Sequence, residues 1–513
     1  MEDEDKNPLL SVDMPDPDLL RVGDVWYMVS TTMFYMPGGP VLRSRDLCSW
    51  EIVSYIFEEL EDNGGYRLED GQNAYGCGQW ATSLAYQDGY YHACFVCNDL
   101  NRTYFCRTRD IEQSNWERTW VEGIYHDMSF LFWEGRSYLI YGNGDLRIVE
   151  LQEDLMGVRP ETDRLFLETP SDGLRLRCEG CRAYVRNGYL YLLLIDWPVD
   201  GNDGGRRREI CYRSKSLNGP FERRVLLNDD GGREGCGVAQ GALTDSPSGQ
   251  WYAVMFQDRG AVGRIPYLLP VRWEEDWPVL GDNGTVPLEW ECTEEEMDAF
   301  PAEPLVISDS FRHRENRLRL PWQWNHNPHP DDWSFTERPG YLRLKNRRTA
   351  KELLNAQNTL TQRTEEPYSC FTVELDGAGM LDGDYAGICA LQGYYGQIGL
   401  AKENGAWYLQ TVARREDGTR ELARTELPRE TGARIFLKAE FSFSDKKDQA
   451  AFYYSLDNVH WMMPAKPVQL KFTLDIFVGC RVGLFCYGMA KTGGFADFRE
   501  FRFEGQKCDP ENR

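Results

Sequence analysis

Asp16, Trp80, Asp127, Glu179 and Gln240 occupy equivalent slots, each seven to nine residues ahead of a glycine that opens a tight turn: Gly23, Gly89, Gly135, Gly188 and Gly249. Three of the five are acids. Two carboxyl groups on opposite sides of a glycosidic bond can hydrolyse it, one protonating the leaving oxygen while the other activates water. Direct attack by water inverts the anomeric centre and needs carboxyls about 6.5–9.5 Å apart. Glu179 is the natural acid: Cys178 and Cys181 flank it, Leu174, Leu176 and Tyr184 lie close by in sequence, and an apolar setting beside a second acid, Asp127, raises a carboxyl pKa. Asp16 stands between Pro15 and Pro17. Prolines fix their own φ and push the preceding residue out of the helical region, which predicts stiff, extended backbone and an ionised carboxylate suited to act as base. Asp127 is left to tune and orient Glu179.

The elements that must hold these residues repeat along the chain. Each turn glycine is followed by an aromatic-rich strand, as in GDVWYMVS from Gly23, GYYHACFV from Gly89 and GYLYLLLI from Gly188. Several copies continue into a second hairpin with a similar tail, such as LRSRDLCSWE (42–51) and YRSKSLNGPFE (212–222). The glycines are 66, 46, 53 and 61 residues apart, enough for one four-stranded sheet each, and strong helical periodicity is absent. The class is therefore all-β, with a five-bladed β-propeller first. The first strand of each blade lines the central channel, so the five slots converge at one end of it. The acidic, proline-containing stretch around EMDAFPAEPL (296–305) reads as a break. The expected division is a propeller over 1–295, a linker over 296–307 and a two-sheet β-sandwich over 308–513, built from alternating strands such as IFLKAEFSF (435–443) and RVGLFCYG (481–488).

Composition narrows the partners. With 57 basic and 82 acidic residues the net charge is −25, which repels nucleic acid and anionic membrane. Aromatics make up 13% of the chain and offer flat faces to a sugar. The N-terminus MEDEDKNP is acidic and polar, and the 15 cysteines are odd in number and scattered, pointing to free thiols in a reducing cytoplasm. The apolar run near 189–195 is too short to cross a membrane. Cys94 with Cys97, and Cys178 with Cys181, suggest zinc, but residues three apart on a strand point to opposite faces. No phosphate loop, nucleophile elbow or histidine-based triad is present.

Several stretches resemble glycoside hydrolase family 43: Asn7-Pro8 through Pro15-Asp16-Pro17, GQWATSLAYQDGYY (78–91), YHDMSFLFWEGRSYLIYG (125–142), CEGCRAYVRNGYLYLLL (178–194) and the run from Gln240 to Gly281. The C-terminal half, with WQWNHNP (322–328) and NTLTQR (358–363), resembles the sandwich domain of that family's β-xylosidases. The resemblance implies a concanavalin-like jelly-roll sandwich and an inverting mechanism, with Asp16 as general base, Asp127 as pKa modulator and Glu179 as general acid. It implies an exo-acting β-xylosidase on xylo-oligosaccharides, with α-L-arabinofuranosidase activity on arabinosylated oligosaccharides as the close alternative and a non-catalytic carbohydrate-binding protein as a remote one. Sugar contacts are expected from Trp80, Arg264 and Gln240, and from Phe34 and Tyr35 as a rim unless they pack between blades. Arg264 can also pair with a channel acid, and both roles can hold together. No cofactor is required, and a homo-oligomer is compatible with the sequence. Two positions depart from the family pattern. Many members carry a histidine near Ala239–Gln240 that helps hold a hydrated cation, whereas His92, His126, His313, His326, His329 and His460 lie elsewhere. Gln240 leaves a structural calcium in the channel as an expectation only. Trp80-Ala81-Thr82 replaces the usual Trp-Ala-Pro.

Overall fold

A computed structural model of the protein describes residues 7–199, 205–289, 301–428 and 433–505, in which every long element is a strand and the helical turns are short 3₁₀ pieces. Five four-stranded antiparallel sheets, each a meander in chain order, run from Asp18 to Leu280. Their first strands are Asp18–Val22, Thr82–Gln87, Ser129–Trp133, Leu174–Arg186 and Val238–Asp245, and these lie side by side around a ring that the fifth blade closes against the first. The recurring glycine has a local cause. Asp88-Gly89, Glu134-Gly135 and Asn187-Gly188 all carry positive φ at both positions, the backbone of a type I′ hairpin turn, whose twist matches that of the strands it joins.

The second half forms two packed sheets. One has seven strands, and the other has eight, in the order 35–36, 323–325, 360–363, 481–488, 384–391, 396–403, 406–415 and 418–426. The first strand of that series belongs to the propeller: Met36 pairs with Trp324 and Tyr35 with Asn325. A piece of blade 1 is thus stitched into the sandwich sheet. The cores are shared as well. Trp26 and Met28 of blade 1 pack in one cluster with Phe371 and Leu437, and Phe95 and Tyr104 of blade 2 share another with Tyr385 and Phe485. Each large side chain buried across this seam contributes about 1.5–3 kcal/mol. Of the expected linker, residues 296–300 lie outside the described residues, and Leu305, Val306 and Ile307 are buried in the shared core. No described helix is long and apolar enough to cross a membrane.

Candidate active site

The chain enters the channel in left-handed backbone. Asp16 has φ +53°, Asp127 +44°, Gly180 +72° and Gln240 +69°. Asp16 is therefore not extended, as its two prolines suggest. Tertiary contacts outweigh the local preference: its carboxylate accepts hydrogen bonds from Thr31 Oγ1 (2.7 Å), Gln240 Nε2 (3.1 Å) and Arg264 Nη1 (3.4 Å). A non-glycine residue held there costs about 1–2 kcal/mol, and the turn lifts the side chain off the ladder into the channel. In blade 4 Gly180 takes the left-handed position and the pairing slips on either side of Glu179, so the acid stands one residue ahead of it, whereas Asp16, Asp127 and Gln240 hold that position themselves.

Four of the five slots meet directly. Asp127 Oδ2 accepts the Gly180 N–H at 2.8 Å, and Gln240 lies against Gly180, where an added Cβ would come within 2.9 Å of the Gln240 side chain. Trp80 joins through the second domain. Its ring lies 5.1 Å from that of Phe477, which also faces the Arg264 guanidinium at 4.9 Å and accepts from Arg264 Nη2 through its carbonyl at 3.3 Å. Phe477 has φ +61°. A bulky residue held in that region marks a segment constrained by its surroundings. The sandwich thus supplies one wall of the pocket. Arg264 is ion-paired with Asp16 at 3.4 Å.

His126 is the functional neighbour that residue typing passes over. Its Nε2 lies 3.3 Å from Glu179 Oε2 and 3.5 Å from Asp127 Oδ2, and Asn143 Nδ2 donates to the same Glu179 oxygen at 2.9 Å. The only advance signal is its position next to Asp127. Burial raises the Asp127 carboxyl to about 6, with His126 opposing and Glu179 and Asp16 adding to the rise. For His126 burial works against the charged ring, but Asp127, the hydrogen bond to Glu179 and the other acids together carry its pKa up to about 9. The apolar setting expected around Glu179 is absent at its carboxylate, which has polar partners. Cys178 and Cys181 instead point into the core between blades 3 and 4. They share one cluster because the slipped pairing breaks simple strand alternation, whereas Cys94 and Cys97 fall into different clusters as alternation requires.

Below the acids lies a fixed positive charge. Arg182, its side chain 3% exposed, pairs with Asp18 at 3.2 Å and donates to the carbonyl oxygens of Cys181, Thr82 and Asp16. It reaches from blade 4 to blades 1 and 2 across the channel. The donors present do not fit a structural calcium there: Gln240 turns its amide N–H toward Asp16, Arg182 holds the neighbouring oxygens, and a hard cation gains nothing beside a guanidinium. Among the described residues, His126, Asp127 and Glu179 are the one group of donors close enough to share a metal ion, and an imidazole is a poor calcium ligand.

Phe34 and Tyr35 do not form a rim. Their exposures are 0% and 1%. Phe34 packs against Tyr75 and His326, and Tyr35 lies in the strand that joins the sandwich, because the second domain covers what the propeller alone would expose. A cleft of about 640 Å³ between blade 1 and the sandwich, lined by Tyr55, Trp322 and Trp324 among others, holds none of the channel residues.

A propeller bearing buried acids at the mouth of its channel, walled by a sandwich, is the build of a carbohydrate-cleaving enzyme, and sequence comparison defines which. The model described as glycosyl hydrolases family 43 matches residues 5–278, and the β-xylosidase C-terminal concanavalin A-like domain matches residues 308–504. The chain belongs to glycosyl hydrolase family 43. It is 25% identical to a β-xylosidase of Formosa agariphila over 97% of this chain and 90% of that one. It is 31% identical to a non-reducing end α-L-arabinofuranosidase of Bacteroides ovatus over 66% of this chain and 64% of that one. Among solved structures, a bifunctional GH43-CE protein of Bacteroides eggerthii superposes with a TM-score of 0.90 at 39% identity, over 98% of this chain; the chain spans 64% of that protein's length.

Proposed function

We propose that this hydrolase releases terminal β-D-xylose from xylo-oligosaccharides with inversion. Asp16 takes a proton from the attacking water, Glu179 gives one to the leaving oxygen as the glycosidic bond breaks, and Asp127 orients and tunes Glu179. One observation carries the assignment. Asp16 belongs to blade 1 and Glu179 to blade 4, which are not neighbours in a ring of five, so the two face each other across the channel; Asp127 belongs to blade 3, beside Glu179. Of the three acid side chains Glu179 is also the most accessible, 19% exposed against 7% for each of the others, as a group that must meet a leaving oxygen should be. The wall made by Trp80 and Phe477 favours a closed pocket over an open groove, hence exo action. The likeness to the Bacteroides ovatus arabinofuranosidase supports α-L-arabinofuranosidase activity as the second reading, since the two terminal pentoses present similar hydroxyls.

The test is NMR of the sugar first released from xylobiose, alongside 4-nitrophenyl β-xyloside and α-arabinofuranoside, with wild type and Glu179→Gln. Initial α-xylose, lost in the variant on xylobiose, is the expected outcome. Initial β-xylose overturns inversion and the role of Asp16. Turnover of the arabinoside alone moves the substrate to the second reading.

A further inference from the structure

The left-handed turn in blade 5 displaces an amide that must be satisfied elsewhere. The first strand of that blade, Val238–Asp245, slips in its pairing between Val238 and Gly241, so the Gln240 N–H lies off the ladder. A buried backbone N–H needs another acceptor there. Glu209 supplies it: its Oε2 accepts the Gln240 N–H at 2.8 Å. Glu209 belongs to the third strand of blade 4, Arg208–Ser214. It pairs with Ile195, which pairs in turn with Glu179, so the two acids stand in one row across the blade. Its side chain reaches blade 5 because the two blades touch at Gly237, where an added Cβ would come within 1.8 Å of the Arg207 carbonyl oxygen. In blade 4 the corresponding amide, that of Gly180, goes to Asp127 at 2.8 Å. Glu209 thus does for the Gln240 turn what Asp127 does for the Gly180 turn.

The turn held in this way reaches the channel. Gln240 donates through Nε2 to Asp16 Oδ1 at 3.1 Å, so Glu209 stands two hydrogen bonds from Asp16. We propose that Glu209 is a positioning residue for hydrolysis: by anchoring the Gln240 backbone it aims the Gln240 amide at Asp16 and holds that carboxylate in place for the attacking water. The inference rests on the assignment of Asp16 as general base. The setting suits the role. Glu209 is 0% exposed, and its Oε1 is buried without a partner. Burial raises its carboxyl pKa to about 8, with Asp196 adding to the rise and the Gln240 N–H, Arg207 and Arg182 opposing it. Glu209 therefore keeps its proton at neutral pH. It accepts from the Gln240 backbone and adds no further negative charge beside Asp16.

The test is steady-state hydrolysis of xylobiose by the full chain across a range of pH. Glu209→Met keeps the volume and removes the acceptor. Its kcat should fall about tenfold with KM little changed. The acid limb of its pH profile should also move to higher pH, because a carboxylate that loses a donor takes up a proton more readily. Glu209→Gln restores an uncharged acceptor and should recover kcat to within about threefold. Gln240→Met should match Glu209→Met, and the double variant should be no worse than either single one. Wild-type kcat and an unmoved acid limb in Glu209→Met would overturn the inference. Additive losses in the double variant, or Glu209→Gln as impaired as Glu209→Met, would overturn it too. If Glu209→Met does not fold, an unmoved limb in Gln240→Met has the same force. Asp16→Asn separates this role from the assignment beneath it: activity kept in that variant removes the base, whereas an inactive Asp16→Asn beside an unaltered Glu209→Met removes only the role of Glu209.

Discussion

Two groups of buried charge sit within a few residues of each other in this chain, and they are built on opposite plans. In the propeller channel Asp16, Asp127, Glu179, His126 and Arg182 alternate in sign, and each carboxylate meets a hydrogen-bond donor or a cation. In the seam Arg363 and Arg481 face each other with one sign, and one acid, Asp13, acts on both. The difference teaches where charge serves chemistry and where it serves assembly. A channel that moves protons needs acids whose affinities are set by near neighbours, so its cations come from the chain itself. A seam between two domains needs only neutrality, and Asp13 beside the two arginines contributes to it.

The largest expected contrast comes from deleting one cation from each group. Arg182→Met leaves Asp18 without its paired cation and should cost about 3–5 kcal/mol of stability by denaturant unfolding, whereas Arg481→Met relieves repulsion from Arg363 and should raise the midpoint. If both variants lose stability equally, the two plans are not different. Next, Phe477→Ala removes the ring over Trp80 and Arg264 and should lower kcat/KM about tenfold on xylobiose, as loss of an aromatic pair worth about 1.5 kcal/mol implies; an unchanged value would remove the sandwich from the pocket. A smaller effect concerns pH. His126 titrates near 9 in the folded chain against an ordinary 6.5, so the stability it confers is complete below pH 6.5 and is lost as pH rises through 9. The unfolding midpoint should fall across that window, and His126→Asn should flatten the fall. Asp127, raised from 3.8 to about 6, acts with the same sign in the lower window. The smallest effect is a null: with Arg182 in the channel, EDTA should leave midpoint and activity unchanged, and a clear drop would restore a structural cation.

Much of this site was legible because a propeller repeats. Asp16, Asp127 and Glu179 stand seven, eight and nine residues ahead of their turn glycines, and a near-constant offset in a repeating fold places such positions on one ring. His126 had no such handle, since its role depends on a turn that swings Asp127 and its neighbour toward the same space. The apolar surroundings inferred for Glu179 failed for a related reason. Cys178 and Cys181 are near in sequence, but the slipped pairing sends them into the core and leaves Glu179 among polar groups. Phe34 and Tyr35 looked like rim residues because the propeller by itself would expose them.

The all-β class, the five blades, the second domain and the gathering of three acids around one ring could all be read from the chain alone, since each rests on local patterning: turn glycines, strand alternation and an offset of seven to nine residues. Only the tertiary structure decided that Arg182 fills the channel, that Phe477 walls the pocket from a domain more than two hundred residues downstream of Arg264, and that two arginines meet face to face beneath blade 1. Those facts depend on which surfaces of two separately patterned domains come together, and the strand Tyr35–Met36, carried by one and paired with the other, is what fixes that choice.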